Sequence, residues 1–435
     1  MAEAKLPGRF LSAVAFGLIL GKVIFGPAIL GTVAAYGQTP EDLTKHRAPK
    51  PKEFGSVFSY GYGGNQMPTD DARFEETLKK MKEAGFNIIH TTYTEPRLEL
   101  CKKHGIQMMV DLLSPEDHHV YKSPDKAKTV CEKLRDNPVV WGYNIWNYPI
   151  GKRKYDGRIR DINSVRSWDP THPAYCGAGN GTYGLNHINN ADILGYYDFH
   201  WSRGIDRQLG SQHLLNLAKN FNALYYTWYA AIPGGEGEEN LRRSMWSTNT
   251  GMACGLRGIL WFLAASAKVD EQGVMTWNPG LLDPNTMEWT PAGQDMIKVH
   301  QEIINPLKTE IMAVPLPTSV YGSNVTKTLD NQPLPGGQAS ATAPGTTPVP
   351  AEFWLQPVSG EIIMGVSTDE EGRGPVYVAN YNAFAPQQVA MKLGKPLKAS
   401  IFNRKERKWQ PLEVKDSTVS FPLEAGGGEL IRFQS

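Results

Sequence analysis

The sequence has little cysteine and almost no net charge. Its 4 cysteines form no C-x-x-C pair, which argues against the common zinc and redox motifs. We expect buried thiols, although a bridge between Cys101 and Cys131 on neighbouring predicted helices stays open. The 45 Lys and Arg residues are balanced by 44 Asp and Glu residues. A nucleic-acid partner is therefore not expected, because it would need a basic face.

Motifs for cofactors and for serine nucleophiles are also missing. The glycine-rich stretch from Tyr60 to Gly64 lacks the G-x-G-x-x-G spacing of a phosphate loop. No G-x-S-x-G elbow is present to support a Ser-His-Asp arrangement. The adjacent His118 and His119 point apart on an extended chain, so they make a weak metal site. The sequence predicts neither a cofactor nor a metal.

The N-terminus carries the one long hydrophobic segment. Lys5 and Arg9 precede two apolar runs, 10–21 and 23–36, which Lys22 separates. We interpret residues 1–37 as a signal peptide or a membrane anchor, since the two runs together could associate with a bilayer through residues 10–36. Either interpretation predicts an exported protein. Residues 38–53 are polar with prolines, as in a linker.

Strand and helix patterns alternate from about residue 54 to residue 310. Eight such units over about 250 residues match the size of a (β/α)8 TIM barrel, so the predicted class is α/β. The predicted strands are Phe54–Gly61, Phe86–Thr92, Ile106–Leu113, Val139–Pro149, His172–Ala178, Ile193–His200, Ala223–Tyr229 and Gly258–Ala264.

Residues 311–435 show a different pattern. Pro, Gly, Thr, Ala and Ser dominate 322–350, which we interpret as a flexible loop. Short alternating runs separated by turn signals follow it. This pattern predicts a small antiparallel β-sandwich after the barrel.

The fourth predicted strand carries a resemblance to a known family. It reads Val-Val-Trp-Gly-Tyr-Asn-Ile-Trp-Asn-Tyr-Pro from Val139 to Pro149. It resembles the fourth strand of barrel glycoside hydrolases, which ends in Trp-Asn-Glu-Pro in the retaining clan and in Asp-Glu-Pro in related bacterial proteins. Asn147 matches the family Asn, whereas Tyr148 stands where the family places its acid/base Glu. The C-terminal sandwich is similar to the module that follows the barrel in many glycosidases.

The resemblance implies a second acid at the end of strand seven. Trp228 and Tyr229 stand there instead. Tyr148 can donate a proton, but a phenol with a pKa near ~10 is a poor general base at neutral pH.

Two aspartates at predicted strand ends are the remaining catalytic candidates beside Tyr148. Asp111 ends strand three and Asp198 ends strand six, across the barrel, which would favour an inverting geometry. For each, the competing interpretation is a structural hydrogen-bond acceptor at the barrel rim, as rim carboxylates commonly are.

Aromatic, amide and imidazole groups cluster near the predicted strand ends. Stacking rings with a few hydrogen-bonding groups suit a sugar pocket, whereas alternate residues of a barrel strand would face the helices as core. The candidate binding residues are Tyr60, His90, Trp146, Asn147, His200, Trp201, Trp228, Tyr229 and Trp261.

Two functions follow from these patterns. The first is a glycoside-hydrolase-like protein of the cell envelope that binds or hydrolyses a saccharide. The second is a catalytically inactive barrel, a pseudoenzyme, that serves as a binding or structural subunit of an envelope or membrane-associated assembly. The two missing glutamates favour the second function for retaining chemistry and leave inverting chemistry open.

Overall fold

The computed structural model describes most of the chain after residue 47. The described residues are 48–62, 65–66, 70–112, 124–146, 161–178, 191–198, 224–230, 238–269, 275–327, 334, 340–343, 346–368 and 372–435.

Eight parallel strands pair side by side and close into a barrel. Strand β1 pairs with β2 on one side and with β8 on the other, which joins the two ends of the sheet. The strands are β1 Gly55–Ser59, β2 Ile88–Thr91, β3 Gln107–Asp111, β4 Val140–Trp146, β5 Ala174–Ala178, β6 Ile193–Asp198, β7 Leu224–Ala230 and β8 Gly258–Phe262. All eight predicted strands are confirmed, with ends that differ by a few residues.

Helices follow six of these strands in the described residues. They are α1 Asp71–Ala84, α2 Glu95–His104, α3 Pro124–Leu134, α4 at 161–168, α5 Glu238–Ala253 and α6 Pro291–Val299. A short π-helix, His300–Ile304, and α7, Asn305–Ala313, extend the last one. Residues 199–223, between β6 and β7, lie outside the described residues.

The ends of the first two helices follow from local sequence. The Asp70 side chain caps α1 by accepting a hydrogen bond from the Arg73 amide at 2.8 Å. Gly85 ends α1 with φ of 90°, in the left-handed region. Thr94 caps α2 in the same way, and Gly105 ends it.

Two β-sheets follow the barrel and share one hydrophobic core. The seven-stranded sheet contains β9 Ser319–Gly322, β10 Thr347–Pro348, β12 Ile362–Val366, β13 Gly374–Asn380, β15 Lys398–Asn403, β16 Lys408–Leu412 and β19 Gly428–Gln434. The four-stranded sheet contains β11 Leu355–Ser359, β14 Gln387–Leu393, β17 Val414–Lys415 and β18 Thr418–Leu423. Buried residues from both sheets, such as Val376 and Val389, belong to one cluster, as expected for a sandwich.

The proline- and glycine-rich segment contains short paired strands among its described residues. Within 322–350, Asn324–Val325 pairs with Ala341–Thr342, and β10 pairs in parallel with β9. These two short pairings lie within the segment that the sequence predicts to be a flexible loop.

Helix α5 joins the barrel to the seven-stranded sheet. Trp246 donates its indole N–H to the Tyr381 carbonyl at 2.8 Å, and Asn249 donates to the Gly426 carbonyl at 2.9 Å. Gly365 permits this approach, because a Cβ there would overlap the carbonyl oxygen of Ala253.

The described cysteines and helices bear on two further predictions. All four cysteines are buried free thiols, so no bridge joins Cys101 to Cys131. Among the helices that the structure describes, none combines the length and the apolar character that crossing a bilayer requires. The apolar segment 10–36 lies outside the described residues.

Candidate functional site

The barrel interior contains an apolar layer with a polar layer above it. The apolar layer consists of Val57, Ile88, Met109, Trp141, Tyr175, Ile193 and Leu260. Alternate residues of a strand face the same side, so Ser59, His90 and Asp111 face the interior two residues further along β1, β2 and β3. They lie near the carboxyl ends of these strands, where barrel proteins place their sites.

Asn144 completes this polar layer from strand β4. It pairs in register with Asp111 of β3, beyond an irregularity in the pairing of the two strands. All four side chains are buried, with no more than 1% of each residue exposed. We call Ser59, His90, Asp111 and Asn144 the interior polar cluster.

Hydrogen bonds connect the cluster in one chain. The Ser59 hydroxyl lies 3.0 Å from His90 Nδ1, and Asn144 Nδ2 lies 3.0 Å from His90 Nε2. The same Nδ2 donates to Asp111 Oδ1 at 3.1 Å. His90 Nε2 and Asp111 Oδ1 are 3.6 Å apart, too far for a hydrogen bond.

The chain of contacts assigns the protons. An ionised carboxylate only accepts hydrogen bonds, so the amide nitrogen of Asn144 faces Asp111. Its second hydrogen then points to His90 Nε2, which must accept. His90 is therefore the neutral tautomer with its proton on Nδ1, donated to the Ser59 hydroxyl.

The amide oxygen of Asn144 is left over by this arrangement. Asn144 Oδ1 is buried and has no hydrogen-bond partner among the described residues. Leaving a buried acceptor unsatisfied costs about 1–3 kcal/mol. The cluster can thus accept a hydrogen bond from a hydroxyl or N–H group of a ligand that enters the carboxyl end of the barrel.

Two predicted binding aromatics lie against the helices instead of the interior. The Tyr60 and Phe74 rings meet edge to face, with their centroids 5.2 Å apart. The ring centroids of Trp261 and His300, which belongs to the π-helix, are 5.9 Å apart. Tyr60 and Trp261 are both buried. Because they alternate with the interior residues Ser59 and Leu260, they face the opposite side. We correct their assignment: they are core residues between strands and helices.

Burial also shifts the pKa values of Tyr60 and Arg97, which lie beside that helix layer. It raises the pKa of Tyr60 to about 12, while the nearby Arg97 acts to lower it. Arg97 donates to the Thr91 hydroxyl at 2.9 Å, and its guanidinium lies 5.7 Å from the centre of the Tyr60 ring. The Tyr60 ring thus packs against Arg97 and Phe74 as part of the core.

The remaining predicted residues fall at or beyond the described strand ends. Trp146 is the last residue of β4, and Asp198 is the last residue of β6. The backbone of Asp198 pairs in register with Tyr229, which follows Trp228 on β7. Asn147, Tyr148, His200 and Trp201 lie outside the described residues. Among the side chains that the structure describes, His90 and Asp111 are the predicted site residues that join one hydrogen-bonded cluster.

Sequence reasoning missed Ser59 and Asn144. A signal was present, because each interior polar residue of β1–β3 follows an interior apolar residue by two positions. Asn144 stands amid aromatic residues in a strand without charge, where a buried amide needs partners.

The described residues supply one carboxylate to the cluster and no metal site. Glycoside hydrolysis by the usual route needs two carboxyl groups, and Asp111 alone belongs to the cluster. No group of three or more His, Cys, Asp or Glu side chains lies close enough to hold a metal ion within the described part of the chain.

Comparisons with known proteins give structural neighbours that are glycoside hydrolases. No protein-family model and no curated protein matches the sequence. A glycoside hydrolase family 5 structure from Bacteroides vulgatus ATCC 8482 matches with a TM-score of 0.54 and 13% identity, over 89% of this chain and 92% of that one. A second structure, described as a glycoside hydrolase, matches with a TM-score of 0.53 and 11% identity, over 91% and 97%.

A larger protein matches over a part only. The β-glucuronidase of an uncultured Clostridium sp. has a TM-score of 0.43 and 16% identity, over 58% of this chain. This chain spans about half of that protein, 51% of its length. At these identities the likeness to solved structures concerns the fold alone.

Proposed function

We propose that this protein is a glycoside-hydrolase-like, carbohydrate-active protein that binds a saccharide at the carboxyl ends of its barrel strands. The proposal includes a complete (β/α)8 repeat over 54–310 and a sandwich domain over 311–435. The neighbours' fold supports it by analogy.

The observation that carries the proposal is the interior polar cluster. Four consecutive strands place buried hydrogen-bonding groups at one level of the interior, and one buried acceptor is left without a described partner. A saccharide carries many hydroxyl groups that can donate to such acceptors. A site with a few fixed polar groups in a concave interior is typical of small-molecule binding.

Hydrolysis is the finer proposal. Asp111 in the cluster and Asp198 at the end of β6 are the candidate acid and base, with Tyr148 as a third proton donor. The alternative is a catalytically inactive barrel that binds its saccharide as part of an envelope assembly. The absence of glutamate from 139–149 and 223–229, the segments of β4 and β7, favours that alternative.

The test is a panel of oligosaccharides and aryl glycosides, with binding measured by calorimetry and turnover by product release. We compare wild type with Asp111→Asn, Asp198→Asn and Tyr148→Phe. We expect at least one saccharide to bind, and Asp111→Asn to weaken that binding about tenfold or more. Turnover lost in either aspartate variant supports hydrolysis, whereas binding without turnover supports the inactive barrel.

A matched control separates binding from folding. Asp192→Asn alters another buried aspartate, which pairs with Arg166 at 2.8 Å just before β6, at the opposite end of the barrel. It should bind the saccharide as wild type does. If no saccharide binds, or if Asp111→Asn binds as well as wild type, the proposed site is wrong.

Export to the cell envelope is a separate part of the proposal. It is supported by the apolar N-terminal segment 10–36 after Lys5 and Arg9. Mass analysis of the protein from its native cells tests it. A mature chain that begins near residue 38 indicates a cleaved signal, and an intact chain in the membrane fraction indicates an anchor.

A further inference from the structure

We infer that Asn144 is a specificity-determining residue, whose Oδ1 accepts a hydrogen bond from one hydroxyl group of a neutral saccharide, and that Asp111 and His90 are positioning residues that fix this orientation. The inference rests on the proposed function and names the atom that recognises the ligand. Asn144 is distinct from Asn147, the position to which the family resemblance points.

The amide could in principle point either way. If it were turned over, Oδ1 would face the Asp111 carboxylate at about the distance that Nδ2 now has, 3.1 Å. Two acceptors without a hydrogen between them repel each other, and the buried setting strengthens that repulsion. Asp111 therefore selects the orientation in which the oxygen is left for a ligand.

His90 reinforces the same choice from the other side. Its Nε2 lies 3.0 Å from Asn144 Nδ2, and its Nδ1 lies 3.0 Å from the Ser59 hydroxyl. The Nδ1–H tautomer lets both contacts form. With both amide hydrogens in use, rotation of the Asn144 amide would break two hydrogen bonds at once, so the orientation of Oδ1 is fixed before a ligand arrives.

A fixed acceptor discriminates by what the ligand can donate. A ligand hydroxyl at this point satisfies Oδ1, whereas a hydrogen atom in its place leaves the oxygen buried and unpaired. Sites built to hydrogen-bond a substrate hydroxyl reject the analogue that lacks it. One ring position of the saccharide should therefore be recognised through Asn144.

The test is a ligand-by-variant cycle. The probes are methyl β-glucopyranoside, methyl β-galactopyranoside and methyl β-mannopyranoside, and the monodeoxy derivatives of whichever binds. In wild type, one deoxy derivative should bind about tenfold or more weakly than its parent. In Asn144→Leu, which has no acceptor, parent and deoxy derivative should bind within about twofold of each other. Asn144→Ala, which also lacks an acceptor, repeats the cycle with a smaller side chain if the leucine variant does not fold.

The positioning role has its own spectroscopic readout. Nitrogen-15 NMR of histidine should show His90 protonated on Nδ1 and bare on Nε2 in wild type. In Asp111→Asn, where the new amide can donate or accept, we expect a mixture of His90 tautomers. A wild-type His90 protonated on Nε2 would overturn the inference, because Asn144 Oδ1 would then accept from the ring.

The outcomes separate this inference from the proposed function. If saccharides bind but every deoxy derivative loses equal affinity in wild type and Asn144→Leu, the role of Asn144 is wrong and the proposed function stands. If none of the glycosides or the wider panel binds, both are overturned.

Discussion

The hydroxyl of Tyr175 occupies the space that a β-carbon on Gly195 would need. The two residues lie on neighbouring strands, β5 and β6, and Tyr175 belongs to the apolar layer under the interior polar cluster. The missing side chain at 195 is thus the reason that a tyrosine fits inside the barrel at this level.

Gly195→Ala should therefore destabilise the protein. The added methyl group overlaps the Tyr175 ring end, and overpacking of this kind costs about 1–3 kcal/mol. Urea denaturation measures the loss. Tyr175→Phe removes the overlapping oxygen, so the double variant should recover part of it. Additive losses in the double variant would show that the two residues do not interact.

His300→Leu should stabilise the protein, and more so in acid. His300 is buried beside Phe86, and neither ring nitrogen has a hydrogen-bond partner among the described residues. Burial, with a smaller contribution from Lys308, lowers the pKa of His300 from 6.5 to about 3. Between these values the unfolded chain binds a proton that the folded chain does not, so wild-type stability falls as the pH falls.

The measurement for His300 is the free energy of unfolding at several pH values. The advantage of His300→Leu should grow by about 1.4 kcal/mol per pH unit as the pH falls from 6.5 towards 4. His104→Gln is the control, because His104 lies near the surface beside Glu75 and the variant leaves His300 in place. An advantage that does not change with pH would contradict the buried, neutral histidine.

Asp169→Asn should cost about 2–4 kcal/mol, because the carboxylate accepts from several buried donors. Tyr143 donates to it at 2.6 Å and His172 Nδ1 lies 2.7 Å away. Burial alone would raise the pKa of Asp169, but hydrogen bonds from His172, Thr171 and Tyr143 together hold it well below its usual range. The contribution to stability is present above the unfolded value, ~3.9, and is lost as the pH falls below it.

Chemical denaturation at pH 5.5 and at pH 3 checks this prediction. The gap between wild type and Asp169→Asn should be full at pH 5.5 and clearly smaller at pH 3. Asp136→Asn, at an exposed left-handed turn position with φ of 63°, should change little at either pH. An equal gap at both pH values would mean that the Asp169 charge is not the source of the stability.

Asn249→Ala should weaken the packing of the sandwich against helix α5 and lower the free energy of unfolding. Tyr377 donates its hydroxyl to Asn249 Oδ1 at 2.6 Å, and burial raises the pKa of Tyr377 to about 12. Removing the amide leaves that hydroxyl and the Gly426 carbonyl buried without their partner, at a cost of about 2–4 kcal/mol. Ser420→Ala, at an exposed position of β18, is the control. A loss below about 0.5 kcal/mol in urea denaturation would contradict the role of Asn249.

The sequence alone determined the order of the elements. Runs of buried strand residues, helix caps such as Asp70 and ending glycines such as Gly85 act over a few residues, so their signals are readable locally. The eight barrel strands were predicted from these signals, and the short alternating runs after residue 350 predicted the sandwich. Strands β9 and β10 lie beside or within the segment predicted to be a loop, because their place depends on pairing with each other and with β12.

Only the tertiary structure decided which side chains meet. His90 and Asp111 were candidates from the sequence, but Ser59 and Asn144 join them only through the register of four strands far apart in the chain. The same register turns Tyr60 and Trp261 towards the helices. A shift of one residue reverses the facing of every side chain in a strand, and pairing between distant segments sets that shift.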